Sequence, residues 1–307
     1  MTRIANLAQQ TLILSQIHDA QSRMQETQIQ MSTGYSSQSY AGIAPQTQLL
    51  VSLESNRARI MQYQTNNGTI DLRLQSMESA VGNTVDAATK LKTLLVNGLN
   101  NNIAADMSLG MQAQNLLNEV AKQLNVKIGD RYLFSGSKTD TAPVDLSAAG
   151  YGAPPPTYPS TADTGYYQGD GVVLTTRAAD DYDVSYGVTA DDPAFEKLIR
   201  ALQLTATVTT TPTLDRDRLQ NGLDLVNQAI NELSTVRSKI GGTQNALDAA
   251  NQDHIDMTLY MEQSITKITQ VDVAEAATRL SADQVMLQAS YMTISQLSKL
   301  SLANYLR

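Results

Sequence analysis

From Thr243 to Arg307 the chain contains neither glycine nor proline. Inside a helix glycine costs about 1 kcal/mol and proline about 3 kcal/mol, so a stretch of this length without either is predicted to be helical. At about 1.5 Å per residue, a continuous helix there would approach roughly 100 Å. No single core of a 307-residue chain holds such a rod, so it needs a partner along its length. Val273, Leu280, Leu287 and Ile294 recur every seven residues, with Ala276 and Leu297 at the complementary three-residue offset. Val285, Ala289 and Met292 widen the apolar face beyond a two-stranded seam.

The partner is predicted at the other end of the chain. Leu7 and Leu14, then Ile17, Met24 and Met31, repeat the same spacing, and this helix should stop near Gly34. A second helical run covers about 46–97, with Leu49, Leu53, Ile60, Leu72, Leu74, Met77 and Val81 as packing positions. A third covers about 107–128 and carries Met111, Leu116, Leu117, Val120 and Leu124. Residues 143–192 differ in character. They hold most of the prolines, six tyrosines and the Gly169-Asp170-Gly171 turn, with short β-like runs at 165–168, 172–176 and 182–188. Helix resumes at 193–204, breaks in the Thr-rich stretch TATVTTTPT, and restarts near Leu214. Leu223, Val226, Ile230, Leu233, Val236 and Ile240 then keep helical spacing up to Gly241-Gly242. The expected fold is mainly α, a long antiparallel coiled-coil rod formed by the N- and C-terminal segments with a small β-rich insert. Its domains are 1–44 with 262–307 (terminal helices), 45–142 with 193–261 (helical rod) and 143–192 (insert).

Few chemistries fit the residues. There is no cysteine, which excludes thiolate catalysis and disulfides. A net charge of −8 without a basic run argues against nucleic acid. No stretch approaches the roughly 20 apolar residues of a membrane span, and Gln9, Gln10 and Gln16 interrupt any signal-peptide core. His18 and His254 lack a second ligand at helical spacing. Asp180-Asp181-x-Asp183 lacks the central Gly and terminal Glu of a calcium loop and is expected to be a solvated turn. Asn67-Gly68-Thr69 matches a glycosylation sequon but interrupts a helical run. No nucleotide-binding or nucleophile motif occurs. No catalytic residue, metal or cofactor is expected, and the low charged fraction, 17%, suits packing against copies of the same chain.

Residues 129–143 read GDRYLFSGSKTDTAP, with Gly129, Tyr132, Phe134, Gly136, Thr139 and Pro143 as its marked positions. This stretch resembles the signature of the flagellar hook-associated protein 3 family, hook–filament junction proteins of the flagellin superfamily. IQMSTG at 29–34, YQGD at 167–170, the segment 192–195 and RLSADQVMLQASYMTISQLSKLSLANYL at the C-terminus resemble family segments in the same order. The stretch YSSQSYAGIAP departs from the family by lacking an acidic pair after the S-T-G motif. The resemblance implies terminal helices that line an axial channel and order on assembly. It also implies a ring of copies between hook-associated protein 1 and flagellin. Export would run through the flagellar type III apparatus with a flagellar export chaperone, to an extracellular place in the bacterial flagellum. A short flagellin, a secreted coiled-coil binder and a glycan-binding insert are the alternatives.

Overall fold

A computed structural model describes residues 2–100, 108–209 and 214–305, with side chains from 11 onward and up to 296. The chain is mainly α-helical: α1 (Thr2–Thr33), α2 (Thr47–Asn100), α3 (Ser108–Leu124), α4 (Pro193–Ala206), α5 (Arg216–Thr269) and α6 (Val273–Tyr305). Two small antiparallel pairs complete it, β1 (Lys127–Ile128) with β2 (Arg131–Tyr132), and β3 (Leu174–Ala179) with β4 (Tyr182–Tyr186). The mainly α fold with a small β-rich part is as the sequence predicts.

The chain divides into a terminal unit, Met1–Arg59 with Asp256–Arg307, and a central unit, Ile60–Ile255. In the central unit α2 and α5 run antiparallel, since Asn67 meets Asn251 and Glu78 pairs with Arg237. Leu74, Met77, Leu91 and Leu95 from α2 bury against Leu219, Val226, Leu233 and Ile240 from α5 in one core. Fully burying each such side chain contributes about 1.5–3 kcal/mol. Helix α4 lies within that core. Asp192 caps it by accepting from the Ala194 N–H (3.0 Å), Pro193 opens it, and Phe195, Leu198, Ile199 and Leu202 are fully buried. Even its ion pair is buried. Arg200 and Glu196 lie 3.0 Å apart one turn away from each other, and Glu196 also accepts from the Asp163 N–H. Burial pushes the Glu196 carboxyl up from its ordinary range, against the opposing pull of that N–H and of Arg200.

Several expectations change. Helix α5 does not stop at Gly241-Gly242 but runs through to Thr269. Two glycines cost about 2 kcal/mol, which the burial of Val236, Ile240 and Leu247 on either side exceeds. The Gly- and Pro-free stretch is not one rod either, because it breaks at 270–272 between α5 and α6. The third helix ends at Leu124 rather than near Ile128, and β1 and β2 follow it around Gly129 (φ +59°). Residues 165–168 form a turn with one bridge, Val144 to Tyr167, instead of a strand. Leu49, Leu72 and Met111 are exposed, whereas Leu50 is buried in place of Leu49. Asn67 of the sequon is fully buried and donates to the Ala178 carbonyl.

Candidate assembly interface

Two features stand out, a helix pair in the terminal unit and a loop clip in the central unit. Helices α1 and α6 pack together antiparallel. On α1 the buried or half-buried positions Ile13, Ile17, Ala20, Met24, Thr27 and Met31 alternate steps of four and three, with Gln30 half-buried beside Met31. On α6 Ala276, Leu280, Asp283, Leu287, Ser290 and Ile294 show the same alternation, with Ala277 half-buried beside Ala276. That spacing is the heptad seam of a coiled coil. Ile17, Ala20 and Leu287 form its buried centre, with Ile13, Met24 and Ile294 packed around them. Arg23 crosses the seam to Asp283 at 2.9 Å, and Gln21 donates to the Tyr291 hydroxyl at 2.8 Å.

The sequence-predicted interface residues therefore divide into three groups. Ile17, Met24, Met31, Leu280, Leu287 and Ile294 lie on the seam. Leu14 lies off it, Val273 continues its stripe at the first residue of α6, and both are exposed. Leu7 and Leu297 sit within α1 and α6, but their side chains lie outside the described residues. Leu12, Val285, Tyr291 and Met292 add further exposed apolar surface to the pair.

The break in the long C-terminal stretch belongs to this pair. Asp272 caps α6 by accepting from the Ala274 and Glu275 N–H groups (2.9 and 3.2 Å). Gly34 (φ +77°) ends α1, and its carbonyl accepts from the Val271 N–H at 3.0 Å. The Ser36 N–H returns a bond to the Thr269 carbonyl at 2.7 Å, and its hydroxyl donates to Ile268 and Thr269. The turn that ends the N-terminal helix thus satisfies the backbone groups freed by the break near the C-terminus. The capping residues went unread in the sequence. Asp272 with Glu275 three positions later is the signal that marks them.

The second feature joins two of the recognised stretches. Gly136 (φ +68°) turns the loop after β2 so that Ser137 meets Asp170 of YQGD. The Asp170 carboxylate accepts the Ser137 N–H (2.7 Å), the Ser137 hydroxyl and the Val172 N–H (3.2 Å). The Tyr167 hydroxyl donates to the Asp170 carbonyl (2.6 Å), and Lys138 reaches the Gly169 carbonyl. A Cβ on Gly136 would stand 2.2 Å from the Asp170 carbonyl oxygen, so the approach requires glycine. The Ser137 hydroxyl and N–H hold the Asp170 carboxyl below its ordinary range.

The other signature residues hold the loop to the core. Phe134 is fully buried, edge-on to Phe195 at 5.7 Å. The Tyr132 N–H donates to the Thr139 carbonyl (2.8 Å), and the Pro143 carbonyl accepts from Gln168 (2.9 Å). Tyr166 is fully buried in the core, with the half-buried Tyr151 packed edge-on against it. Among the described residues, no group of His, Asp and Glu is placed to hold a metal. No helix is long and apolar enough to cross a membrane, again among the described residues. His254 is buried, with Nε2 2.8 Å from the Ala178 carbonyl and its ring stacked on Tyr63.

Residues 223–306 match the bacterial flagellin C-terminal helical region, which takes in most of α5 and α6. The chain is 24% identical to flagellar hook-associated protein 3 of Escherichia coli (strain K12) over 82% of its length and 83% of that protein. It is 22% identical to flagellar hook-associated protein 3 of Salmonella typhimurium over 94% and 95%. The crystal structure of Bacillus cereus FlgL superposes with a TM-score of 0.56 at 16% identity, over 71% of this chain and 99% of that one, a likeness of fold. The resemblance to hook-associated protein 3 read from the sequence is thus met along most of the chain.

Proposed function

We propose that this chain is a junction subunit of the bacterial flagellum, with copies forming a ring between a layer of hook-associated protein 1 and the flagellin filament. The observation that carries the reading is the α1–α6 pair. One seam is closed within the chain, while Leu14, Val273, Val285 and Met292 remain exposed. Apolar residues on the outer faces of a closed helix pair suit neighbouring copies. In this reading 1–44 with 262–307 is the terminal coiled-coil domain facing the axial channel. Residues 45–142 with 193–261 are the rod, and 143–192 the outer domain. Of the assembly positions, Ile17, Met24, Met31, Leu280, Leu287 and Ile294 serve by closing the helix pair, and Leu7, Leu14, Val273 and Leu297 by meeting neighbouring copies. The signature residues Gly129, Tyr132, Phe134, Gly136, Thr139 and Pro143 build the clip and assign no chemistry. The chain acts outside the cell by shape, without catalysis, after type III export with a flagellar export chaperone.

Image reconstruction of hooks incubated with the purified chain tests this. The expected result is a ring on hooks already capped with hook-associated protein 1, and no long filaments of the chain alone. Long filaments formed by the pure chain would instead make it a short flagellin.

A further inference from the structure

The apolar residues of the α1–α6 seam do not by themselves fix where one helix lies along the other. Leu280, Leu287 and Ile294 are near-equivalent at one set of heptad positions, and Ile17, Met24 and Met31 at the other. Sliding α6 by one heptad, about 10 Å, would bring the same kinds of side chain together again. Against this background one seam position is anomalous. Asp283 occupies a core position of the heptad, its side chain is 13% exposed, and it is held by Arg23.

We infer that the Arg23–Asp283 pair is the register determinant of the terminal helix pair. The argument is one of scarcity and penalty. Among the described side chains of α1, Arg23 is the sole arginine or lysine, and on α6 Asp283 and Glu275 are the sole carboxylates. With Arg23 opposite Asp283, a slip of seven residues in one direction sets Ser290 opposite Arg23 and Gln30 opposite Asp283. A slip in the other direction brings Arg23 beside Glu275 but leaves Asp283 opposite Gln16. In both, Asp283 keeps its largely buried position but loses its cation on α1, leaving only Arg279 one turn away on its own helix. A polar residue at a core heptad position selects register in this way at some cost in stability. The inference deepens the proposed function, because a ring of copies needs every helix pair to present its outer face at the same height.

The chain has no cysteine of its own, so disulfide trapping reads the register directly in the full-length protein. Three double variants serve as reporters: Ala20→Cys with Leu287→Cys for the observed register, and Ala20→Cys with Leu280→Cys or with Ile294→Cys for slips of one heptad. A disulfide needs Cα atoms within about 7 Å, so each reporter answers for one register. With Arg23 and Asp283 intact, the expected result is cross-linking of the 20–287 pair alone. Adding Asp283→Leu is expected to raise at least one slipped cross-link tenfold or more while circular dichroism shows helix content kept. The swap of Arg23→Asp with Asp283→Arg is expected to restore the single register. A pattern unchanged by Asp283→Leu would mean that the turn at 34–36 alone sets the register, and overturns the inference. Failure of the intact chain to cross-link at 20–287 overturns it as well. Neither readout depends on hooks or flagellin, so the inference and the junction reading fail separately.

Discussion

The Asp170 carboxylate accepts the main-chain N–H of Ser137 at 2.7 Å, across 33 residues of sequence. That contact makes one object of two stretches that look independent in the sequence, GDRYLFSGSKTDTAP and YQGD. It also explains why Gly136 and Gly169 stand where they do. A Cβ on Gly169 would lie 2.3 Å from the Tyr167 hydroxyl and 2.6 Å from the Ser135 carbonyl.

Gly136→Ala is expected to cost about 2–5 kcal/mol, adding left-handed backbone strain to forced displacement of Asp170. Gly129→Ala shares the positive φ but meets nothing within 4 Å, so its cost should be only about 1–2 kcal/mol. Urea unfolding of the two variants checks the difference. Equal losses would show that the close approach at Gly136 contributes nothing.

Because Ser137 lowers the Asp170 pKa in the folded chain, the carboxylate stabilises the fold above the unfolded value of 3.8. That stabilisation is lost as the pH falls through the lower folded value. Glu196 works in the opposite sense. Its raised pKa means the folded chain holds a proton longer, so its contribution fades as pH rises above 4.5 through the folded value. Thermal melts from pH 2 to 6 should therefore show a shallower acid-side fall for Asp170→Asn than for the parent chain. Glu196→Gln should flatten the profile at the higher end of that range.

Asp272→Ala removes the cap of α6 and should cost about 1 kcal/mol. Amide exchange at 274 and 275 should speed up about fivefold, while amides of the buried α4 stay protected. Exchange unchanged at both positions would show that the 34–36 turn alone secures the break.

Deleting 277–307 removes nearly all of the α6 side of the seam. Incorporation into hook-bound assemblies should be abolished, and the unfolding of the central unit, whose core lies within 60–255, should keep its midpoint. Normal incorporation would contradict a role for the paired ends, and would favour a binder that needs only one terminal helix.

The long helices were legible because proline-free runs with apolar residues at helical spacing are a local signal, although Leu49, Leu72 and Met111 proved exposed. The break at 270–272 was not, because its cause is shared. Asp272 supplies a cap that a sequence can show, but the Gly34 and Ser36 groups that complete the turn lie over two hundred residues away. The run through Gly241-Gly242 fails in the opposite way, since a local penalty of about 2 kcal/mol gives way to tertiary burial around it. Of the predicted interface, Ile17, Met24 and Leu287 fall on the seam. Leu14 repeats at seven from Leu7 but sits beside the seam position Ile13, whereas Val273 keeps the heptad position of Leu280 and is exposed as the first residue of α6. A repeat of seven gives the period of a stripe, and only the four-three alternation tells which stripe closes. The clip was recognised as two motifs, and its unity could not be read because nothing local in either stretch names the other.

The Ala178 carbonyl, near the tip of the β3–β4 hairpin, accepts from Asn67 of α2 at 3.1 Å and lies 2.8 Å from His254 Nε2 of α5. Both lone pairs of a single peptide oxygen are therefore tied to helices that run in opposite directions. Sliding α2 past α5 would therefore strain at least one of the two bonds, whichever helix the hairpin followed. In mechanical terms the hairpin is a cross-brace between two long beams.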